Sequence, residues 1–160
     1  MIFVVLGTHE LPFTRLLNEI DFLIEEGVIG EEVIVQLGHT PYKSENMKFI
    51  PFMTYAEMEN YYKKARLIIT HGGTGSITSG VKMGKKIIAV PRWKKYGEHN
   101  DDHQLEIVRQ FYHSGHILYW DDGFKLKEVL EMADSFQPRE FVSGREKILT
   151  ILDDFIKKNV

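Results

Sequence analysis

The sequence predicts an α/β fold, a Rossmann-like parallel sheet with helices on both faces. Three observations carry this. Short apolar runs recur along the chain, most of them too short for a buried helix. They are apolar throughout rather than alternating, as strands covered on both faces require. Amphipathic helical patterns lie between most of them, and strands alternating with helices imply parallel pairing and right-handed crossovers.

The elements follow in order. Residues 3–6 form the first apolar run. Phe13, Leu16, Leu17, Ile20, Leu23 and Ile24 then recur at i, i+3, i+4, i+7 spacing, which puts them on one face of a helix. Strand signals follow at 33–37 and 48–52. The link between them, residues 38–47, is short for a parallel crossover and has no helical period. A helix is expected at 55–64, a strand at 67–70, a helix at 76–83 and a strand at 87–90. Residues 99–113, 116–120 and 125–133 complete the alternation as helix, strand and helix. A last helix is expected from the stripe Ile148, Ile151, Leu152, Phe155 and Ile156. No linker, repeat or low-complexity segment interrupts the pattern, so residues 1–160 read as one domain.

Composition excludes several classes. With 43% hydrophobic and 27% charged residues the chain is an ordinary soluble type, and 160 residues suffice for a proper core. A net charge of −3 argues against a nucleic-acid partner, which calls for a basic face. No cysteine is present, so there is neither a disulfide framework nor a thiolate metal site, which fits a reducing compartment. The apolar runs are far below the roughly 20 residues that span a bilayer. No basic segment followed by a long apolar core marks a secretion signal, so a cytoplasmic location is expected.

If the strand order is 3-2-1-4-5-6, the first and fourth strands part at the topological switch point, where such sheets bind ligands. Two polar, glycine-containing loops then converge: Gly7, Thr8, His9 and Glu10 after the first strand, and His71, Gly72, Gly73, Thr74, Gly75 and Ser76 after the fourth. The second begins the stretch "HGGTGSITSG". Glycines let the backbone approach a ligand closely, and the N–H groups of a helix start attract phosphate. Thr74 and Ser76 add hydroxyl donors. A tight strand-to-helix turn is the alternative explanation, and the second converging loop favours phosphate. Known phosphate and nucleophile motifs do not fit. Gly80 is followed by Val81 and Lys82, not by the Lys-Ser/Thr of a P-loop. Thr78 stands where a dinucleotide fingerprint needs a small residue. Neither Ser76 nor Ser79 has the flanking glycines of a nucleophile elbow.

A second informative stretch is "PRWKKYGEHNDDHQ", residues 91–104. His99 and His103 stand i, i+4 on the expected helix, with Glu98 and Asp102 nearby. That spacing could bind a metal, but two histidines at a polar helix start are more often hydrogen-bonding residues. Arg92, Lys94 and Lys95 are either anion contacts or a solvated basic loop. Trp93 and Tyr96 pack on a ligand, a partner or the sheet end.

These residues resemble a known family. "HGGTGSI" followed by "IIAVPRWKKYGEHNDDHQ" resembles the C-terminal domain of family 28 glycosyltransferases, which have the GT-B fold. "GTHELPFTRLLNEID" resembles the start of small bacterial capsule and exopolysaccharide subunits of this group, and the match covers roughly residues 1–120. The chain is also similar to the soluble subunit of the eukaryotic two-subunit enzyme that adds the second N-acetylglucosamine to a dolichol-linked sugar. The resemblance implies transfer of a hexose from a UDP-sugar to a lipid-linked acceptor. It also implies a membrane-associated partner subunit that supplies the acceptor half and recruits the chain to the inner face of the membrane. Because the sequence opens on a strand at Ile2, that half is expected on the partner.

Residue by residue, the resemblance places Gly7, Thr8 and His9 near the diphosphate. Phe52 and Met53 fall at the backbone contact to uracil. His71 and the loop Gly72, Gly73, Thr74, Gly75 and Ser76 fall on the phosphate side. His103 and Gln104 match the pair that contacts the donor sugar. Ser79 departs from the pattern, since many relatives carry an acidic residue there for the ribose hydroxyls. No cofactor and no metal are expected, and no Asp-x-Asp pair of metal-dependent transferases is present. His9 is the local candidate for the base, with a structural or phosphate-contacting role as its alternative. A non-catalytic helper of a partner transferase and a nucleotide sensor are the competing functions.

Overall fold

In the computed structural model, which describes residues 1–121, 123–142 and 156–157, the hub is strand β1, Ile2–Val5. It pairs in parallel with β2, Val33–Gln36, on one side and with β4, Leu67–His71, on the other. Strand β3, Lys48–Ile50, extends the sheet beyond β2. Strands β5, Ile87–Val90, and β6, Leu118–Tyr119, extend it beyond β4. The order is β3-β2-β1-β4-β5-β6 with every pair parallel, as the apolar runs predict.

Helices close both faces. Helix α1, Thr14–Glu25, and helix α5, Leu126–Ser135, cover one. There Leu16, Leu17 and Ile20 of α1 and Val129 of α5 pack with Val4, Ile69 and Val90. Helices α2, Tyr55–Lys64, α3, Thr74–Lys82, and α4, His103–His113, cover the other. There Tyr62, Ile77 and Val108 meet Phe3, Ile68 and Ala89. Each fully buried Leu, Ile or Val contributes about 1.5–3 kcal/mol from its area alone. Double-sided cover is why β1, β2 and β5 are buried at every position.

The crossover from β2 to β3 has no helix, and a hydrogen-bond cluster takes its place. Asp21 on α1 accepts from Tyr42 Oη at 3.0 Å, Ser44 Oγ at 2.8 Å and Asn46 Nδ2 at 2.7 Å. Burial alone would raise the Asp21 pKa, but these bonds outweigh it and hold the carboxyl below its usual range. The loop is thereby laid across α1.

Several boundaries differ from the sequence expectation. Helix α3 starts two residues earlier, at Thr74, with Gly73 as its N-cap. Helix α4 starts at His103 rather than His99. Before it come a short 3-10 turn at Lys94–Tyr96 and Gly97 in the left-handed conformation, φ 69°. Asp101 and Asp102 then accept from the backbone N–H of His103 and Lys94, each at 3.0 Å. Such local side-chain-to-backbone bonds compete with helix formation. His99 and His103 therefore do not share a helix face, and the i, i+4 metal spacing is not formed. Strands β3 and β6 are shorter than expected. Of the last expected stripe, Ile148, Ile151, Leu152 and Phe155 lie outside the described residues, while Ile156 is described and exposed.

Candidate functional site

Strands β1 and β4 are neighbours whose chain continuations lead to opposite sides of the sheet, β1 into α1 and β4 into α3. A crevice opens between them at their C-terminal ends, as this topology requires. It holds a cavity of about 320 Å³. Of the expected site residues, Gly7, Thr8, Phe52, Met53, His71, Gly73, Gly75 and Ser76 line it together. Gln36 and Met58 line it as well, neither singled out in the sequence. A smaller recess of about 150 Å³ adjoins it through Met58, Gly75 and Ser76, and contains Glu59 and Ser79.

The glycines divide by what a side chain would meet. A Cβ on Gly7, where φ is +80°, would stand 2.6 Å from His71 Nε2, and one on Gly73 would stand 2.3 Å from His71 Cε1. These two glycines make room for the His71 ring. A Cβ on Gly72 would meet Gln104 Cβ at 2.8 Å and Val108 Cγ2 at 2.9 Å, so Gly72 faces α4 and not the cleft. A Cβ on Gly75 would meet nothing within 4 Å. Gly75 alone in this loop opens on free space at the cleft wall. No side chain caps the start of α3, so its first-turn N–H groups are not occupied by a cap. Thr74 is exposed and is not on the wall.

His71 stands at the centre. Its Nδ1 lies 3.1 Å from Gln104 Nε2, and its Nε2 lies 3.3 Å from Ser76 Oγ. Burial, reinforced by the nearby Arg92 guanidinium, pushes its pKa down to about 3, so the ring is neutral at physiological pH. Gln104 is 7% exposed and does not line the cavity. Its Oε1 accepts from Gly72 N at 2.9 Å and Arg92 N at 3.1 Å. With its amide engaged inside the protein, Gln104 does not present the expected donor-sugar contact. His103, by contrast, is largely exposed at the first turn of α4.

A supporting layer was not foreseen. Gln36 interrupts an otherwise apolar strand, and its amide clamps the first loop. Oε1 accepts from Gly7 N at 2.9 Å, while Nε2 donates to Gly7 O at 3.0 Å and Pro51 O at 3.2 Å. Arg92 is 1% exposed, so it is neither an anion contact nor part of a solvated loop. It donates to the carbonyls of Leu6, Leu11 and Glu98, at 2.8, 2.8 and 3.0 Å. The loops after β1 and β5 are thus pinned to each other. Glu98 in turn accepts from Arg15 and from the Trp93 backbone.

His9 is placed beside this layer. Its ring stacks on His99 at 4.4 Å between centroids, and its Nδ1 accepts from Leu11 N at 3.1 Å. Burial, then His99, lowers its pKa. A neutral ring whose Nδ1 accepts a hydrogen bond carries its proton on Nε2. His9 therefore has no free lone pair with which to act as the expected base, and it does not line the cavity. Ser79 donates its Oγ to Gly75 O at 2.8 Å. Among the described residues no group of three or more His, Asp or Glu side chains is arranged to hold a metal ion.

The sheet and its crevice define an α/β domain of the kind found in GT-B glycosyltransferases. Solved structures share the fold, three among them as follows. The glycosyltransferase of kitacinnamycin has a TM-score of 0.60 at 18% identity, over 84% of this chain and 35% of that one. The solution structure of ALG13 has 0.55 at 18% identity, over 94% of both chains. MurG of Acinetobacter baumannii has 0.55 at 17% identity, over 82% of this chain and 40% of that one.

The chain belongs to glycosyltransferase family 28: the model of the family's C-terminal domain matches residues 1–158. Among relatives, the UDP-N-acetylglucosamine transferase subunit ALG13 of Candida albicans is 30% identical over 105 residues, 66% of this chain and 34% of that protein. The human subunit of the same name is 27% identical over 92 residues, 54% of this chain and 8% of that protein. The chain thus matches about a third of the fungal relative's length, and far less of the human one. No helix among the described residues is long and apolar enough to cross a membrane.

Proposed function

We propose that this chain is the UDP-sugar-binding subunit of a two-subunit glycosyltransferase. It presents the donor, and a membrane-associated partner holds a lipid-linked sugar acceptor and recruits the chain to the inner face of the membrane. The observation that carries this reading is the cleft at the β1/β4 switch point, with the uncapped start of α3 and Gly75 on its wall. The name of the fungal and human relatives supports UDP-N-acetylglucosamine as the donor. The resemblance of residues 7–21 to capsule and exopolysaccharide subunits supports that pathway as the setting.

The chemistry follows from the leaving group. As UDP departs, charge grows on the β-phosphate, and preorganised N–H and O–H donors stabilise it without rearranging. The first-turn amides of α3 and Ser76 Oγ are such donors. One preorganised donor of this kind is worth about 3 kcal/mol of barrier. Phe52 and Met53 wall the uracil side, and Ser79 and Glu59 share the adjoining recess, which fits the ribose. His103, exposed at the first turn of α4 and not on the cavity wall, is the remaining candidate of the pair for the donor sugar. The base that takes the acceptor proton comes from the partner, since the proton arrangement of His9 excludes it.

The test is co-expression with the candidate partner, followed by assay against a panel of UDP-sugars and lipid-linked acceptors. Transfer by the pair and not by the chain alone is the expected result. Transfer by the partner alone, unchanged when this chain is added, would overturn the proposal.

A further inference from the structure

We propose that Gln104 is a positioning residue: it locks His71 as the Nε2–H tautomer and thereby turns a chain of hydrogen bonds outward, so that the cleft wall offers donors to a phosphate oxygen. The ligand half of this proposal rests on the nucleotide reading of the cleft.

The direction of the chain is set at its buried end. Gly72 N and Arg92 N both point at one atom of the Gln104 amide, at 2.9 and 3.1 Å. A backbone N–H only donates, so that atom is the amide oxygen and the other is the NH₂ group. The NH₂ group faces His71 Nδ1 at 3.1 Å, so Nδ1 accepts. A neutral imidazole whose Nδ1 accepts carries its proton on Nε2. Nε2 faces Ser76 Oγ at 3.3 Å, so that oxygen accepts. The hydroxyl proton of Ser76 is then left to point elsewhere, and Ser76 lines the cleft.

The result is a wall that donates. Its members are the hydroxyl of Ser76, whose oxygen already accepts from Nε2–H of His71, and the first-turn N–H groups of α3. The diphosphate of a sugar nucleotide carries acceptors and no donors at neutral pH, and it complements such a wall. The basic groups near His71 work the same way. Arg92, His99 and His9 surround the ring from the loops after β5 and β1, and all three disfavour a second proton on it. The Glu98 carboxylate is taken up by Arg15 and the Trp93 amide. The ring thus stays neutral, and its single proton is aimed by Gln104.

The experiment uses the full chain with ¹⁵N-labelled histidine. Long-range ¹⁵N–¹H NMR of the wild type is expected to show His71 as Nε2–H, without titration between about pH 5.5 and 8. The Gln104→Glu variant keeps an acceptor for Gly72 N and Arg92 N but loses the donor. His71 is then expected to place a proton on Nδ1 and to titrate. UDP affinity at pH 8 should fall at least about tenfold, the effect of one charge-assisted hydrogen bond, and should recover as pH falls and His71 becomes doubly protonated. A purely structural role for Gln104 would lower affinity without that pH dependence and would overturn the proposal. So would an Nδ1–H tautomer in the wild type, a measurement that needs no variant to fold. A wild type locked as Nε2–H that binds no UDP would establish the lock and overturn the nucleotide reading with its ligand half.

Discussion

At the scale of single residues, Gly73 and Gly75 look alike in the sequence and differ in the structure. Gly73 makes room for the His71 ring, whereas Gly75 opens on the cleft. Gly75 also lies inside the first turn of α3, where glycine costs about 0.5–1 kcal/mol relative to alanine. Gly75→Val should therefore leave the melting temperature unchanged within a few degrees and weaken UDP binding at least about tenfold. Gly73→Val should lower the melting temperature, because His71 must move. Equal destabilisation by both would show that Gly75 serves the fold. His71 makes its own prediction. Its folded pKa is about 3 against an ordinary value of 6.5, so below 6.5 the unfolded chain binds a proton that the folded chain refuses. Stability contributed by the neutral ring is full above pH 6.5 and is lost as pH falls toward 3, at up to about 1.4 kcal/mol per pH unit. Melting temperature followed from pH 7 to about 4.5 should show this decline, and His71→Gln should flatten it.

At the scale of elements, the crossover from β2 to β3 and the start of α4 show how side chains replace regular structure. Asp21 gathers three donors from the crossover loop. Asp21→Ala leaves those donors to water and frees the loop from α1. The expected cost is about 1–2 kcal/mol, seen as a lower denaturation midpoint with an unchanged slope. No change would mean that apolar packing of the loop alone holds it. The second of these places is also where the sequence misled. The parallel strands were legible, because strands buried on both faces are apolar throughout, and the two glycine-rich loops converge once the common strand order is assumed. The start of α4 was not. Helical periodicity ran back to His99, but Asp101 and Asp102 bind backbone N–H groups and stop the helix at His103. The role of Gln104 was equally hidden. Its partner His71 is 33 positions away, and only the fold brings them within 3.1 Å. Arg92 looked like a surface cation, and its burial depends on three carbonyls contributed by two different loops. Gln36 did carry a signal: a lone polar residue at the C-terminal end of an apolar strand, at the edge where ligands bind.

At the scale of the whole molecule, one six-stranded sheet brings two loops to a single crevice, and a polar layer fixes both. Gln36 holds the loop after β1, and Arg92 ties that loop to the one after β5. These bonds tie the rim together without a ligand, as preorganised electrostatic stabilisation requires. On the proposed function, this crevice binds the diphosphate end of a UDP-sugar. Isothermal titration calorimetry of the full chain with UDP, uridine and UDP-N-acetylglucosamine tests it most directly. One site is expected for UDP and for the sugar nucleotide, with uridine weaker by at least about tenfold for lack of phosphate, and with that difference lost in Gly75→Val. Equal affinity for uridine and UDP, or binding of UDP that Gly75→Val leaves untouched, would contradict it.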